Sequence, residues 1–186
     1  MKPVERADIV DYVTYEERRD GIRQAAMREK AGRRIHVGPH LTFLFETRET
    51  IRYQIQEMMR AERIVREADI VHEIETYNEI LGGPGELGCT LLIELDDPAV
   101  RAEKLVRWVD LPQHLYAKLA DGTTARPTFD PRQVGEGRLS SVQYLKFAVG
   151  AQVPVAIGCD DADPELRHET TLTDAQKASL QRDLGE

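Results

Sequence analysis

Long apolar runs are missing from this sequence of 186 residues. None approaches the roughly 20 consecutive apolar residues that a helix needs to cross a bilayer. The opening residues, Met1 to Asp8, also lack the apolar stretch of a signal peptide, so no membrane association and a cytoplasmic location are expected. Cysteine is scarce. Cys89 and Cys159 lie far apart with no CxxC spacing, which excludes a zinc knuckle and a disulfide framework and leaves two buried free thiols. There is no GxGxxG, no Walker loop and no GxSxG, and no serine or cysteine is marked as a nucleophile by its surroundings. Net positive charge is lacking too. The formal charge of -8 argues against nucleic-acid binding, whose affinity comes largely from clustered Lys and Arg on phosphates.

What is present is ordinary globular material, with 41% hydrophobic and 31% charged residues, enough for one domain with its own core spanning residues 1–186. Charge is uneven along the chain. Residues 1–66 carry 14 Lys and Arg against 11 Asp and Glu, and residues 67–186 carry 11 against 22, so the front is suited to an anion or an acidic partner.

Thr14 and Glu17 form a capping-box pattern that predicts a helix running to about Ala31, with Gly32 as its stop. Ile35 to Val37 and Leu41 to Phe45 read as short strands broken by Gly38-Pro39. Ile51, Ile55, Met58 and Val65 recur at helical spacing over residues 48–66, and Ile70, Ile74, Tyr77 and Leu81 follow after a break near Glu67 to Asp69. This predicts a helical hairpin, ended by the loop Gly82-Gly83-Pro84-Gly85. Strands are expected over Cys89 to Leu95, Val142 to Val149 and Val153 to Ile157, with a short helix near Ala99 to Trp108. A hairpin of Tyr116 to Ala120 and Thr124 to Phe129 should turn at Asp121-Gly122. After an acidic loop from residue 160, Thr173 and Gln176 cap a last helix. The order of elements predicts an α+β fold, a single domain in which a helical hairpin packs on a mostly antiparallel sheet.

At 100° per residue from Ile51, Glu62 falls at about 20°, between Ile55 at about 40° and Met58 at about 340°. A carboxylate inside an apolar stripe needs a partner. Arg66, four residues on, could pair with it. In an antiparallel hairpin Glu62 lies level with His72 to Ile74, which would bring Glu62, Glu73 and His72 together, with His40 as a further ligand, for iron, zinc or manganese. A di-iron bundle is not indicated, because the single Glu-x-x-His spacing, Glu165 to His168, lies in the acidic loop. His40 and Glu46 cannot share an ion across a straight strand, where six steps span about 20 Å, but the Gly-Pro bend leaves His40 and His36 free to meet. Asp160, Asp161, Asp163 and Glu165 resemble a calcium loop in composition. Leu166 and Leu172 stand where its Gly and its Glu are required, so an EF-hand is excluded.

Three stretches, HVGPHLTFLFETRETIRYQIQEMMRAERI (residues 36–64), HEIETYNEILGGPGELGCTLLIE (72–94) and SVQYLKF (141–147), carry a resemblance to a bacterial family, domain of unknown function 3501, over most of residues 33–149. The acidic loop and C-terminal helix of residues 160–186 are left outside it. The resemblance implies a redox or metal-linked setting in the company of rubrerythrin-like and iron-sulfur proteins. The polar positions it marks are His40, Glu46, Arg48, Gln54, Glu57, Arg60, Glu62, Arg63, His72, Glu73, Tyr77 and Asn78.

Three functions are therefore expected to compete. One is a metal-binding or redox-accessory protein using Glu62, Glu73, His72 and His40. The second is an interaction module, homodimeric by default, that docks a redox partner through charges such as Arg18, Arg19 and Arg23. The third is an enzyme for a small anionic metabolite, with Arg48, Gln54, Arg60, Tyr77 and Asn78 binding it and Glu57 or Glu62 as base.

Overall fold

Helix α1 (Tyr12–Ala31) starts on Asp11, whose carboxylate accepts from the amides of Val13 and Thr14. The start precedes the expected Thr14 because Asp11 satisfies two orphan amides at once. It ends at Gly32, as the sequence indicates. Strands β1 (Arg34–Val37) and β2 (Leu41–Phe45) follow as a hairpin in which Val37 faces Leu41 and Gly38 turns at a φ of 62°. The computed structural model describes residues 1–135 and 137–185.

Helix α2 (Arg48–Glu62) is opened by a Thr47–Thr50 capping box and is stopped by Arg63, whose φ of 55° is left-handed. The helix expected to reach Arg66 therefore ends earlier, and Val65 stands 70% exposed outside it. Helix α3 (Glu67–Asn78) completes the helical pair. Strand β3 (Glu86–Ile93), helix α4 (Pro98–Arg107) and the single turn α5 (Leu111–His114) lead to β4 (Leu115–Lys118). Two short strands, β5 (Thr124–Ala125) and β6 (Pro127–Thr128), precede β7 (Val142–Ala148), β8 (Ala156–Cys159), β9 (His168–Thr171) and helix α6 (Asp174–Gly185). The Thr173–Gln176 capping box of α6 forms as expected.

Among the described residues the strands make two antiparallel sheets, in the orders β1-β2-β3-β7-β6 and β5-β4-β8-β9. The single hairpin expected over 116–129 is divided between them. β5 stays with β4, while Pro127, which cannot donate to a ladder, begins an edge strand on β7. β9 escapes sequence reading because His-Glu-Thr-Thr has no apolar alternation; it is a polar edge strand.

One core lies between the sheets, with Phe43, Phe45, Leu91, Leu145 and Phe147 from the larger and Leu115, Ala117 and Ile157 from the smaller, closed by Leu105 and Trp108 and by Leu180. A second cluster joins Ile51, Ile55 and Met59 of α2 to Ile70 and Ile74 of α3 and to Val4 and Ile9 of the N-terminal segment. Both cysteines are free and buried. Among the described residues no helix is long and apolar enough to cross a membrane.

The glycine loop works by close approach. A Cβ on Gly88 would stand 2.0 Å from the carbonyl oxygen of Ile80, which leaves no room for any side chain. Gly88→Ala is expected to destabilise by about 3 kcal/mol, the upper range of overpacking. Gly21→Ala, with nothing within 4 Å on the outside of α1, should instead stabilise by about 0.5–1 kcal/mol. Urea midpoints measure both, and a neutral Gly88→Ala would contradict the packing.

Candidate functional site

Several polar positions marked in the sequence hold the scaffold together. Arg48 donates to the Pro3 carbonyl and pairs with Asp8. The Asn78 amide accepts from the Val4 N–H at 2.8 Å and donates to the Val4 carbonyl at 2.9 Å. Gln56 does the same for Val10, at 2.8 and 3.2 Å. These amides take the place of a neighbouring strand, fixing an N-terminal segment whose backbone would otherwise lack partners.

Glu57 joins α2 to α1. It accepts from the Tyr15 hydroxyl at 2.6 Å and from the Arg19 guanidinium at 2.8 and 2.9 Å, with Arg60 Nε 3.6 Å away. The Arg19 guanidinium is the main cause that brings the Glu57 carboxyl down to about 2, against the opposing effect of burial. Glu57 is thus a poor general base, and Arg48 and Arg60 are turned to structural carboxylates. The convergence on a small anion expected of Arg48, Arg60, Glu57 and Glu62 is not formed.

The four candidate metal ligands are not brought together either. Glu62 is exposed at the last position of α2, and no ion pair with Arg66 forms among the described residues, because the chain leaves the helix at Arg63 before the i,i+4 geometry is complete. His72 is exposed on α3. His40 belongs to another cluster, its ring 5.6 Å from that of Trp108 and its Nε2 3.3 Å from Glu165. His36 turns to Thr42, so the two histidines of the hairpin do not meet. Among the described residues no group of three or more His, Cys, Asp or Glu is disposed to hold a metal, so the residues present do not fit iron, zinc or manganese.

The acidic loop is neutralised residue by residue. Asp160 pairs with Arg126, Asp163 with Arg107 at 2.7 Å and with the Trp108 indole N–H at 2.8 Å, and Glu165 with Lys104. His114 faces Asp160 and Asp161. Its carboxylates tie the loop to α4 and to Arg126.

One marked region does open onto a cavity. A cleft of about 680 Å³ lies between the helical pair and the β6–β7 edge. Met58, Tyr77, Ile80, Phe129, Tyr144 and Leu145 give it apolar and aromatic walls, and Glu73, Glu79, Asp130 and Lys146 its charges. Burial pushes the Tyr77 phenol up, against the effect of its hydrogen bond with Gln54. Burial raises Tyr144 likewise. Asp130 is matched by Arg132, whereas Glu73, Glu79 and Lys146 have no ion-pair partner among the described residues. At the rim the Gln133 amide accepts from the Tyr144 N–H at 2.6 Å and donates to the Tyr144 carbonyl at 3.0 Å, closing the strand edge beyond β6. Of the residues expected at a site, Glu73 and Tyr77 line this cleft, and Gln54 supports Tyr77. The β7 half went unmarked. Its signal was the alternation in Tyr144-Leu145-Lys146-Phe147, which places Tyr144 and Lys146 opposite the core-facing Phe147.

Comparison with known proteins follows the same outline. The family described as Protein of unknown function (DUF3501) matches residues 3–184. The match takes in the acidic loop and the last helix, so the likeness is not confined to residues 33–149. A crystal structure of a novel protein of unknown function from Burkholderia pseudomallei is 26% identical, with a TM-score of 0.89, covering 98% of this chain and 100% of that one. Among curated proteins none matches.

The Glu57 clamp makes a pH prediction. Its carboxyl lies below the ordinary value in the folded chain, so the stabilisation is full above about 4.5 and is lost as pH falls towards about 2. Glu57→Gln should cost about 2 kcal/mol at pH 7, less than a fully buried pair because the partners are partly exposed. Its stability should fall less steeply than wild type between those two pH values. Parallel acid-unfolding curves for the two proteins would contradict the clamp.

Proposed function

The chain belongs to the DUF3501 family of proteins of unknown function, and from that premise we propose that it is a binding module whose α3–β6–β7 cleft takes a ligand with an apolar or aromatic body and a cationic group. The observation that carries this reading is the composition of the cleft. Aromatic and aliphatic walls supply contact area, and two carboxylates outside any ion pair, Glu73 and Glu79, outnumber the one such cation, Lys146, which favours an amine or guanidinium over an anion. Tyr77 and Tyr144 add ring faces that attract cations. The same chemistry is offered by a small aromatic amine and by a Lys or Arg side chain of a partner protein.

Calorimetry with a charge series separates the terms. 2-Phenylethylamine is expected to bind about tenfold more tightly than 2-phenylethanol, a gain of ~1.4 kcal/mol, and phenylacetate most weakly. The double substitution Glu73→Gln and Glu79→Gln should erase the preference while leaving the alcohol unaffected. A short peptide with one lysine between leucines, bound more tightly than the amine, would assign the cleft to a protein partner. Equal binding across the charge series, or preference for the acid, would overturn the reading.

A further inference from the structure

Many cations of this chain, such as Arg6, Arg19, Arg33, Arg48, Lys104 and Arg126, are matched with a carboxylate. Two beside β1 are not. Lys30, in the last turn of α1, and Arg34, at the start of β1, line a cavity of about 360 Å³ together with His36, Met27 and Ala31. No carboxylate is among those lining residues, and neither Lys30 nor Arg34 has an ion-pair partner among the described residues.

Two carboxylates stand near the cavity without forming an ion pair with either cation. Glu46, whose charge reaches Lys30, accepts the hydroxyls of Thr50 at 2.5 Å and Thr90 at 2.7 Å. Glu94 accepts the hydroxyl of the buried Thr42 at 2.7 Å. Having given its one proton to Glu94, Thr42 can only accept from His36, whose Nδ1 lies 2.8 Å away. That assigns the proton of neutral His36 to Nδ1, orients the ring and leaves Nε2 free. Behind the cavity, Thr170 donates to the His36 carbonyl at 2.7 Å and Gln176 to the Arg34 carbonyl at 2.9 Å, so β1 is held rigidly. The ammonium of Lys30 lies 5.3 Å over the Tyr53 ring, half-buried, with Glu46 near it but in no direct ion pair.

The attraction of a helix C-terminus for cations accounts for Lys30, but not for Arg34, which lies beyond the helix. We propose that this cavity is an oxyanion site that takes a phosphate group, free or as the monoester of a small molecule. Two cations that form no ion pair suit an oxyanion, Arg34 offers the forked donor geometry that suits phosphate, and the His36 ring closes a third side. The site is independent of the acidic cleft and on different elements.

Titration of the full chain in low-salt, phosphate-free buffer, followed by ³¹P NMR and calorimetry, tests this with inorganic phosphate and glycerol 3-phosphate as the two probes. Saturable binding of either is expected, and tighter binding of the ester would assign the cavity to a metabolite. Arg34→Ala and Lys30→Gln should each weaken binding about tenfold, the loss of one charge-assisted hydrogen bond. Arg28→Ala, on the same helix but outside the cavity, should leave it unchanged. Arg34 is exposed, so its variant keeps the test decisive even where Lys30→Gln lowers the melting temperature. Absence of binding by both probes, or an equal loss in all three variants, would overturn the proposal, the second because it reports diffuse surface charge.

Discussion

The two ends of the fold are joined by one buried ion pair. Arg33, just after α1, gives its Nε and Nη2 protons to the two oxygens of Asp183 in α6 at 2.8 and 2.7 Å, with both residues about 95% covered. A buried charge is costly when unpaired, so this forked geometry must be satisfied for either helix to close over the larger sheet. Arg33 also binds the Glu29 carbonyl and carboxylate, which ties the pair to the last turn of α1. The same economy runs through the molecule. Glu57 is matched to Arg19 and Tyr15, Asp163 to Arg107 and Trp108, and Glu165 to Lys104. In a chain with a formal charge of -8, some of the charges outside these pairs line cavities, Glu73, Glu79 and Lys146 in one and Lys30 and Arg34 in another.

Side-chain amides provide a second organising device. Gln56, Asn78 and Gln133 each bond both the N–H and the carbonyl of one residue, at Val10, Val4 and Tyr144. Each completes a stretch of backbone on a side where no strand pairs with it. Such contacts span as many as 74 residues, and no local pattern announces them.

Elements whose signal is local were legible in the sequence. The β1–β2 hairpin follows from Gly38-Pro39, α6 from its capping box, and the α+β class from the order of periodic segments. The rest depended on distant partners. Helix α2 ended at Arg63 rather than Arg66, so Val65 left the apolar stripe and Glu62, still in helical phase, became the exposed last residue of the helix. With no further turn of helix beyond it, Glu62 stayed at the surface, and the metal constellation built on its burial did not form. Strand β9 has no apolar face, and β6 changes sheets within three residues of β5; neither follows from pattern. The site was half legible. Glu73 and Tyr77 were marked on α3, but the opposite wall, from Phe129 to Lys146, reaches them only through the pairing of β7 with β3 and β6.

Paired charges build the scaffold, and unpaired charges that line a cavity mark where ligands bind. Amide and side-chain NMR of the ¹⁵N,¹³C-labelled chain, with 2-phenylethylamine added, tests it most directly. Shifts confined to Glu73, Tyr77, Glu79, Tyr144 and Lys146 are predicted, with the His40–Glu165 and Asp160–Arg126 clusters undisturbed. Shifts centred on those paired clusters, or no saturable shifts at all, would contradict it.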